Sequence, residues 1–213
     1  MTRDFERKGN IENMEIKVRI AEEKDVERVA MLYERLHDYL ETHDNHPRWI
    51  RGIYPTKVNA QEGFGKGWLY VAEIDGKLAG SVIYLHEQGE VYSQVKWPEE
   101  IPGDNVYVIH VLAVHPDFFR MGVGTALLDY ACNMGRENGV GAVRLDVYEK
   151  NSSAIFLYES CGFLYRGTID LGLEELYGLK WYHVYEKIYY RKSPPVYLDM
   201  AGELFSHNNP DFM

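Results

Sequence analysis

Hydrophobic positions along the chain switch between two periods. Ile16, Val18 and Ile20 alternate with charged residues, which predicts a strand with one buried face. Val26, Val29, Tyr33, Leu36 and Leu40 then recur at helical spacing behind Asp25, which reads as the N-cap. Residues 42–68 lose both patterns and are rich in His, Pro, Gly and aromatic residues, with Thr56 placed to cap a short helix. Leu69–Ile74 and Lys77–Leu85 are apolar runs joined by Asp75-Gly76, a pair that suits a type I′ hairpin because both turn residues need positive φ. A polar connection with Pro98 and Pro102 leads to Val106–Val114, almost continuously apolar, as expected of a central strand covered on both faces. Val123, Leu127, Tyr130 and Met134 restore the helical period, and Asn138-Gly139 ends it. Residues 142–147 predict a strand, 153–160 a helix stopped by Gly162, and 163–168 and 181–189 two closing strands.

This order predicts a mixed α/β sheet of about seven strands with helices on both faces. The strand–helix–strand unit over 106–147 is expected to be parallel and right-handed, and the hairpin before it antiparallel. A length of 213 residues suits one core with trimmings. Residues 1–14 read as a flexible polar extension, with Met14 a second candidate start, 15–190 as the domain, and 191–213 as an appendage.

Composition narrows the function. With 23 Lys and Arg against 33 Asp and Glu, the net charge of −10 argues against nucleic acid as the main partner and is compatible with cationic ligands. No run approaches the roughly 20 apolar residues of a membrane span, and the N-terminus lacks the apolar stretch of a signal peptide, so the expectation is a cytoplasmic protein with no membrane partner. Two cysteines, Cys132 and Cys161, are too few for a disulfide framework or a Cys-rich metal site. His37, His43, His46 and Asp44 invite a zinc reading, but they include no helical i, i+4 histidine pair, and no metal is expected.

The most informative segment is His115-Pro-Asp-Phe-Phe-Arg-Met-Gly-Val-Gly-Thr-Ala-Leu-Leu128. It leaves a buried strand and enters an amphipathic helix through two glycines. Free amide groups and the positive end of the helix dipole coincide there, which is how proteins hold phosphate. A Walker loop would need Lys and Ser or Thr after its last glycine, and a dinucleotide fingerprint a third glycine where Leu127 stands. Gly122 and Gly124 would let ligand oxygens approach the backbone, although glycine at a helix start also serves packing.

Val111-Leu-Ala-Val-His-Pro116, followed by Arg120-Met-Gly-Val-Gly124, resembles the acetyl-CoA-binding motif of the GNAT superfamily of N-acetyltransferases. Asn151-Ser-Ser-Ala-Ile-Phe-Leu-Tyr-Glu-Ser-Cys-Gly-Phe163 resembles that family's second motif, in the right order on the next strand–helix unit. The likeness extends more weakly over about residues 16–188. One departure stands at Phe119, where the family usually has Gln or Arg.

The resemblance implies a splayed central sheet, with the pantetheine arm of acetyl-CoA between the strands beside Leu112, Ala113 and Val114. It places the pyrophosphate on the loop of Phe119, Arg120, Met121, Gly122, Val123, Gly124 and Thr125. Asn151 would hold a pantetheine amide. Tyr158, seven residues later and about 10.5 Å along a helix, would serve the leaving sulfur. His110 interrupts an apolar strand and is either the base that takes the amine's proton or a buried, hydrogen-bonded histidine. An acyl-cysteine at Cys161 is a further possibility that the family's direct transfer argues against. The implied function is transfer of an acetyl group to a primary amine, on a small molecule or a peptide, in a ternary complex. The alternative is a catalytically silent acyl-CoA-binding regulatory module, which would need no Tyr158. His37, His43, Asp44 and His46, with Trp49 and Tyr54, fall in the region that lines the acceptor pocket in the family. Family members often pair through their last strands, so a homodimer is compatible with the resemblance.

Overall fold

The computed structural model describes residues 15–189 and two short strands at 197–198 and 204–205. The extension expected for 1–14, and nearly all of the appendage expected for 191–213, lie outside the described residues.

A seven-stranded sheet runs through the molecule in the order β1-β2-β3-β4-β5-β7-β6. Its strands are β1 (Lys17–Ile20), β2 (Leu69–Ile74), β3 (Lys77–Leu85), β4 (Val106–Val114), β5 (Ala142–Tyr148), β6 (Leu164–Asp170) and β7 (Trp181–Ile188). Neighbours pair antiparallel except β4 and β5, which are parallel across the helix that joins them. The helices are α1 (Glu23–Thr42), α2 (Lys57–Gly65), α3 (Val123–Glu137), α4 (Ser152–Ser160) and the single turn α5 (Glu174–Tyr177), which the sequence pattern does not predict. Tyr197–Leu198 and Leu204–Phe205 form a separate two-stranded pair.

Both faces of the sheet are covered. Val29, Leu32, Tyr33 and Leu36 of α1 pack with Leu69, Val71, Ile83, Val111 and Ala113 on one side. Val123, Leu127, Leu128 and Ala131 of α3, with Tyr158 of α4, pack with Tyr84, Ile109, Leu145 and Val147 on the other. The long β3–β4 connection covers what remains of the α1 side, burying Tyr92 and Val95 against Val106, Val108 and Val184. The Asp75-Gly76 turn has φ of 50° and 73°, the positive pair that the hairpin requires.

Two expectations are corrected. Asp25 does not cap α1: Glu22 does, and Asp25 is the third helical residue, accepting the Glu22 amide at 2.9 Å in a capping box. Buried Asp25 also accepts from Arg19 at 2.6 Å and Arg28 at 2.7 Å, which ties α1 to β1. Ile20 does not continue the buried face of Ile16 and Val18. It stands at the end of an edge strand, with 51% of its surface exposed.

Candidate active site

The pairing of β4 with β5 sets the site. It runs from Val106↔Ala142 to Ile109↔Leu145 and stops. On its other side β4 stays joined to β3 as far as Val114, but the register slips between Ser81 and Ile83. At the slip Val111 takes φ 45°, a conformation that a β-branched residue rarely adopts. A bulge of this kind bends a strand and breaks its alternation. As a result His110 and Val111 both face the α1 side, while Leu112 and Val114 pack on the α3 side.

The parted strands open a cleft of about 1720 Å³. This exceeds the roughly 300–1,000 Å³ typical of a site for one small ligand. His110, Leu112, Val114, Phe119, Arg120, Gly122, Val123, Gly124, Thr125, Asn151 and Tyr158 all line it. Ala113 and Met121, expected beside the ligand, do not. Ala113 points into the core under α1, and Met121 packs on the core under α3.

The loop ahead of α3 is shaped by positive φ at Arg120 (62°) and Gly122 (84°). The Ala126 amide donates to Gly122 O at 2.9 Å, and the helical amides before it have no intrahelical acceptor. Gly122 caps α3 without a side chain, so these amides face the cleft at the positive end of the helix. The two glycines do different work. A Cβ on Gly122 would approach only Ile16 Cδ1, at 3.7 Å, so the backbone conformation is what demands glycine. A Cβ on Gly124 would lie 2.9 Å from Leu157 Cδ2, so Gly124 lets α3 and α4 pack closely. Asn151 Oδ1 accepts from the Ala154 amide at 3.3 Å and caps α4, leaving its Nδ2 group for any ligand amide.

Where the strands part, His110 follows Ile109 and Asp146 follows Leu145, the last paired residues. Tyr54 Oη lies 3.1 Å from His110 Nε2, and Tyr92 Oη donates to Asp146 Oδ2 at 2.7 Å. Burial pushes the His110 pKa down, against the attraction of Asp146. It pushes the Asp146 pKa up, against the hydrogen bond from Tyr92 and the attraction of His110. Tyr158 reaches the same gap from the opposite side of the sheet, and burial raises its pKa, keeping the hydroxyl protonated. Asp146 and Tyr92 were not singled out from the sequence.

Of the residues weighed for a zinc or acceptor site, His43, Asp44, His46, Trp49 and Tyr54 line the cleft. His37 is not among its lining residues: it is buried in α1, where Nε2 donates to Pro55 O at 3.1 Å. The Cys161 thiol is pushed up by burial and does not line the cleft, which disfavours an acyl-cysteine.

The profile of the acetyltransferase (GNAT) family matches residues 27–163. The chain belongs to this family. It is 31% identical over 117 residues to an uncharacterised N-acetyltransferase of Methanocaldococcus jannaschii, a match covering 54% of this chain and 46% of that protein. It is 36% identical over 113 residues to a mycothiol acetyltransferase of Propionibacterium freudenreichii subsp. shermanii, covering 53% of this chain and 32% of that one. The chain therefore spans less than half the length of these relatives. In fold it is similar to a GNAT-family acetyltransferase of Streptococcus agalactiae, with TM-score 0.67, 20% identity, and coverage of 83% of this chain and 96% of that one. Among the described residues no helix is long and apolar enough to cross a membrane.

Proposed function

We propose that the chain is an N-acetyltransferase that moves the acetyl group of acetyl-CoA to a primary amine by direct attack in a ternary complex. One observation carries this reading. At the point where β4 and β5 part, His110 and Asp146 meet the gap from one face of the sheet and Tyr158 meets it from the other.

The chemistry needs both faces. An alkylamine with pKa about 10.4 is unprotonated in only about one molecule in 2,500 at pH 7, so supplying the free base costs about 4.6 kcal/mol. His110, with its pKa lowered by burial, is neutral at pH 7 and accepts that proton, and Asp146 stabilises the imidazolium formed. The amine nitrogen bonds to the thioester carbon. As the tetrahedral intermediate collapses, the carbon–sulfur bond breaks and the Tyr158 hydroxyl gives its proton to sulfur. The amides of the loop ahead of α3, with Arg120, hold the pyrophosphate. The exposed backbone of Leu112 and Val114 pairs with the pantetheine arm as a further strand would.

Incubation with acetyl-CoA and a panel of amines, following release of free thiol, tests the reading. Acceptor-dependent thiol release is expected. Binding of acetyl-CoA with no transfer to any amine would favour the silent binding module.

A further inference from the structure

The end of the cleft beyond His110 is walled by aromatic rings. Trp49 and Tyr54 meet edge to face with centroids 5.8 Å apart, and Tyr54 meets Tyr177 at 6.1 Å. The second contact joins the α1–α2 connection to the β6–β7 connection. Tyr182 lies alongside, 6.3 Å from Tyr148. Burial raises the pKa of Tyr54 well above the ordinary value and that of Tyr182 to about 12, so both are neutral at pH 7.

Histidines apart, the acidic and basic side chains lining the cleft are Glu41, Asp44, Asp146 and Arg120. Arg120 belongs to the loop ahead of α3. Glu41 is held by Arg51 at 2.7 Å. The acceptor end thus offers the Asp146 carboxyl group and aromatic faces, with no lysine or arginine among its described lining residues. An ammonium group is attracted by both features. A carboxylate beside the amine would be desolvated next to Asp146 without a cation to pair with. Tyr54 and Tyr177 bring the two connections together across this end.

Resting on the transfer reading above, we propose that the acceptor is a small arylalkylamine: a primary amine on a short linker to an aromatic ring, with no carboxylate. The amine meets His110 and Asp146, and the ring packs among Trp49, Tyr54 and Tyr177.

The test compares kcat/KM for 2-phenylethylamine, phenylalanine, propylamine and an amidated peptide beginning with phenylalanine, all with acetyl-CoA. Phenylalanine differs from the first by the carboxylate alone, and propylamine lacks the ring. 2-Phenylethylamine is expected to exceed phenylalanine by about 100-fold, in line with the cost of an unpaired buried charge. It is expected to exceed propylamine by about tenfold, the scale of one aromatic contact. Tyr177→Arg, which supplies the missing cation, should narrow the phenylalanine gap about tenfold. Equal use of phenylalanine would overturn the charge argument, equal use of propylamine the aromatic one, and equal use of the peptide the restriction to small acceptors. Binding separates these failures from failure of the transfer reading. With CoA present, 2-phenylethylamine should raise the melting temperature and 3-phenylpropanoate should not, whether or not chemistry follows. Equal shifts would contradict the proposal.

Discussion

Tyr54 Oη sits 3.1 Å from Nε2 of His110, so a residue of the irregular α1–α2 connection fixes the ring of a residue at the centre of the sheet. If that ring is the base, His110→Ala should lower turnover most near neutral pH, by about 10²-fold. The loss should shrink above pH 9, where free amine is plentiful. In the wild type, burial lowers the His110 pKa, so the acid limb of kcat/KM should fall below the ordinary value of 6.5. A pH–rate profile of both proteins checks this. A loss equal at every pH would assign His110 to packing.

Asp146→Asn keeps the side chain's shape and removes its charge. The attraction of Asp146 raises the His110 pKa, so its loss should move the acid limb further down while lowering kcat by about tenfold or more. An acid limb that stays in place would show that the two groups do not titrate together.

Gly122→Val forces a β-branched residue to φ 84°, a strain of about 1–3 kcal/mol, and places a methyl group where phosphate oxygens would approach. Acetyl-CoA at 100 times its Kd should stabilise the wild type by about 2.7 kcal/mol. The variant should lose that stabilisation in a thermal melt while remaining folded. An undiminished shift would put the phosphates elsewhere.

Asp25, at the other end of the sheet, should make the fold sensitive to acid. Burial alone would raise the Asp25 pKa, but hydrogen bonds from Arg19, the Glu22 amide and Arg28 outweigh it and hold it at about 2, below the ordinary 3.8. A depressed carboxyl pKa contributes stability that is present above the unfolded value and lost as pH falls through the folded one. The stability that Asp25 adds should therefore disappear between about pH 4 and pH 2. Asp25→Asn should cost roughly 3 kcal/mol at pH 7 by leaving Arg19 and Arg28 underpaired. The penalty should vanish toward pH 2 in denaturant titrations.

Strands and helices were legible because their hydrophobic periods are strong: β2, β3 and β4 begin and end where the apolar runs do. The loop of Gly122 and Gly124 was legible from its motif, though only packing against Leu157 reveals what Gly124 does. The bulge at Val111 was not, because a β-branched residue at positive φ contradicts its own propensity, and only the surrounding sheet imposes it. Asp146 left a faint signal: Arg144 and Asp146 interrupt an apolar strand two residues apart, which puts both charges on one face. Arg144 answers to Glu186 at 2.8 Å and stacks 3.5 Å from the Trp97 ring centroid, while Asp146 faces the cleft. Tyr92, its partner, lies in an aperiodic connection, and nothing local marks it as part of the site.

The central claim is that the cleft carries out acyl transfer with Tyr158 protonating the departing sulfur. Tyr158→Phe removes one hydroxyl and keeps a ring that packs near Phe163 and Tyr185, at centroid distances of 6.3 and 6.4 Å. General acid catalysis is worth about 10²–10⁴-fold, and a thiolate leaves slowly unaided, so the loss should lie near the lower end. The decisive measurement is kcat of Tyr158→Phe with a saturating amine, alongside its Kd for CoA. The expected result is a kcat lower by about 10²-fold with Kd unchanged; wild-type turnover would contradict the claim.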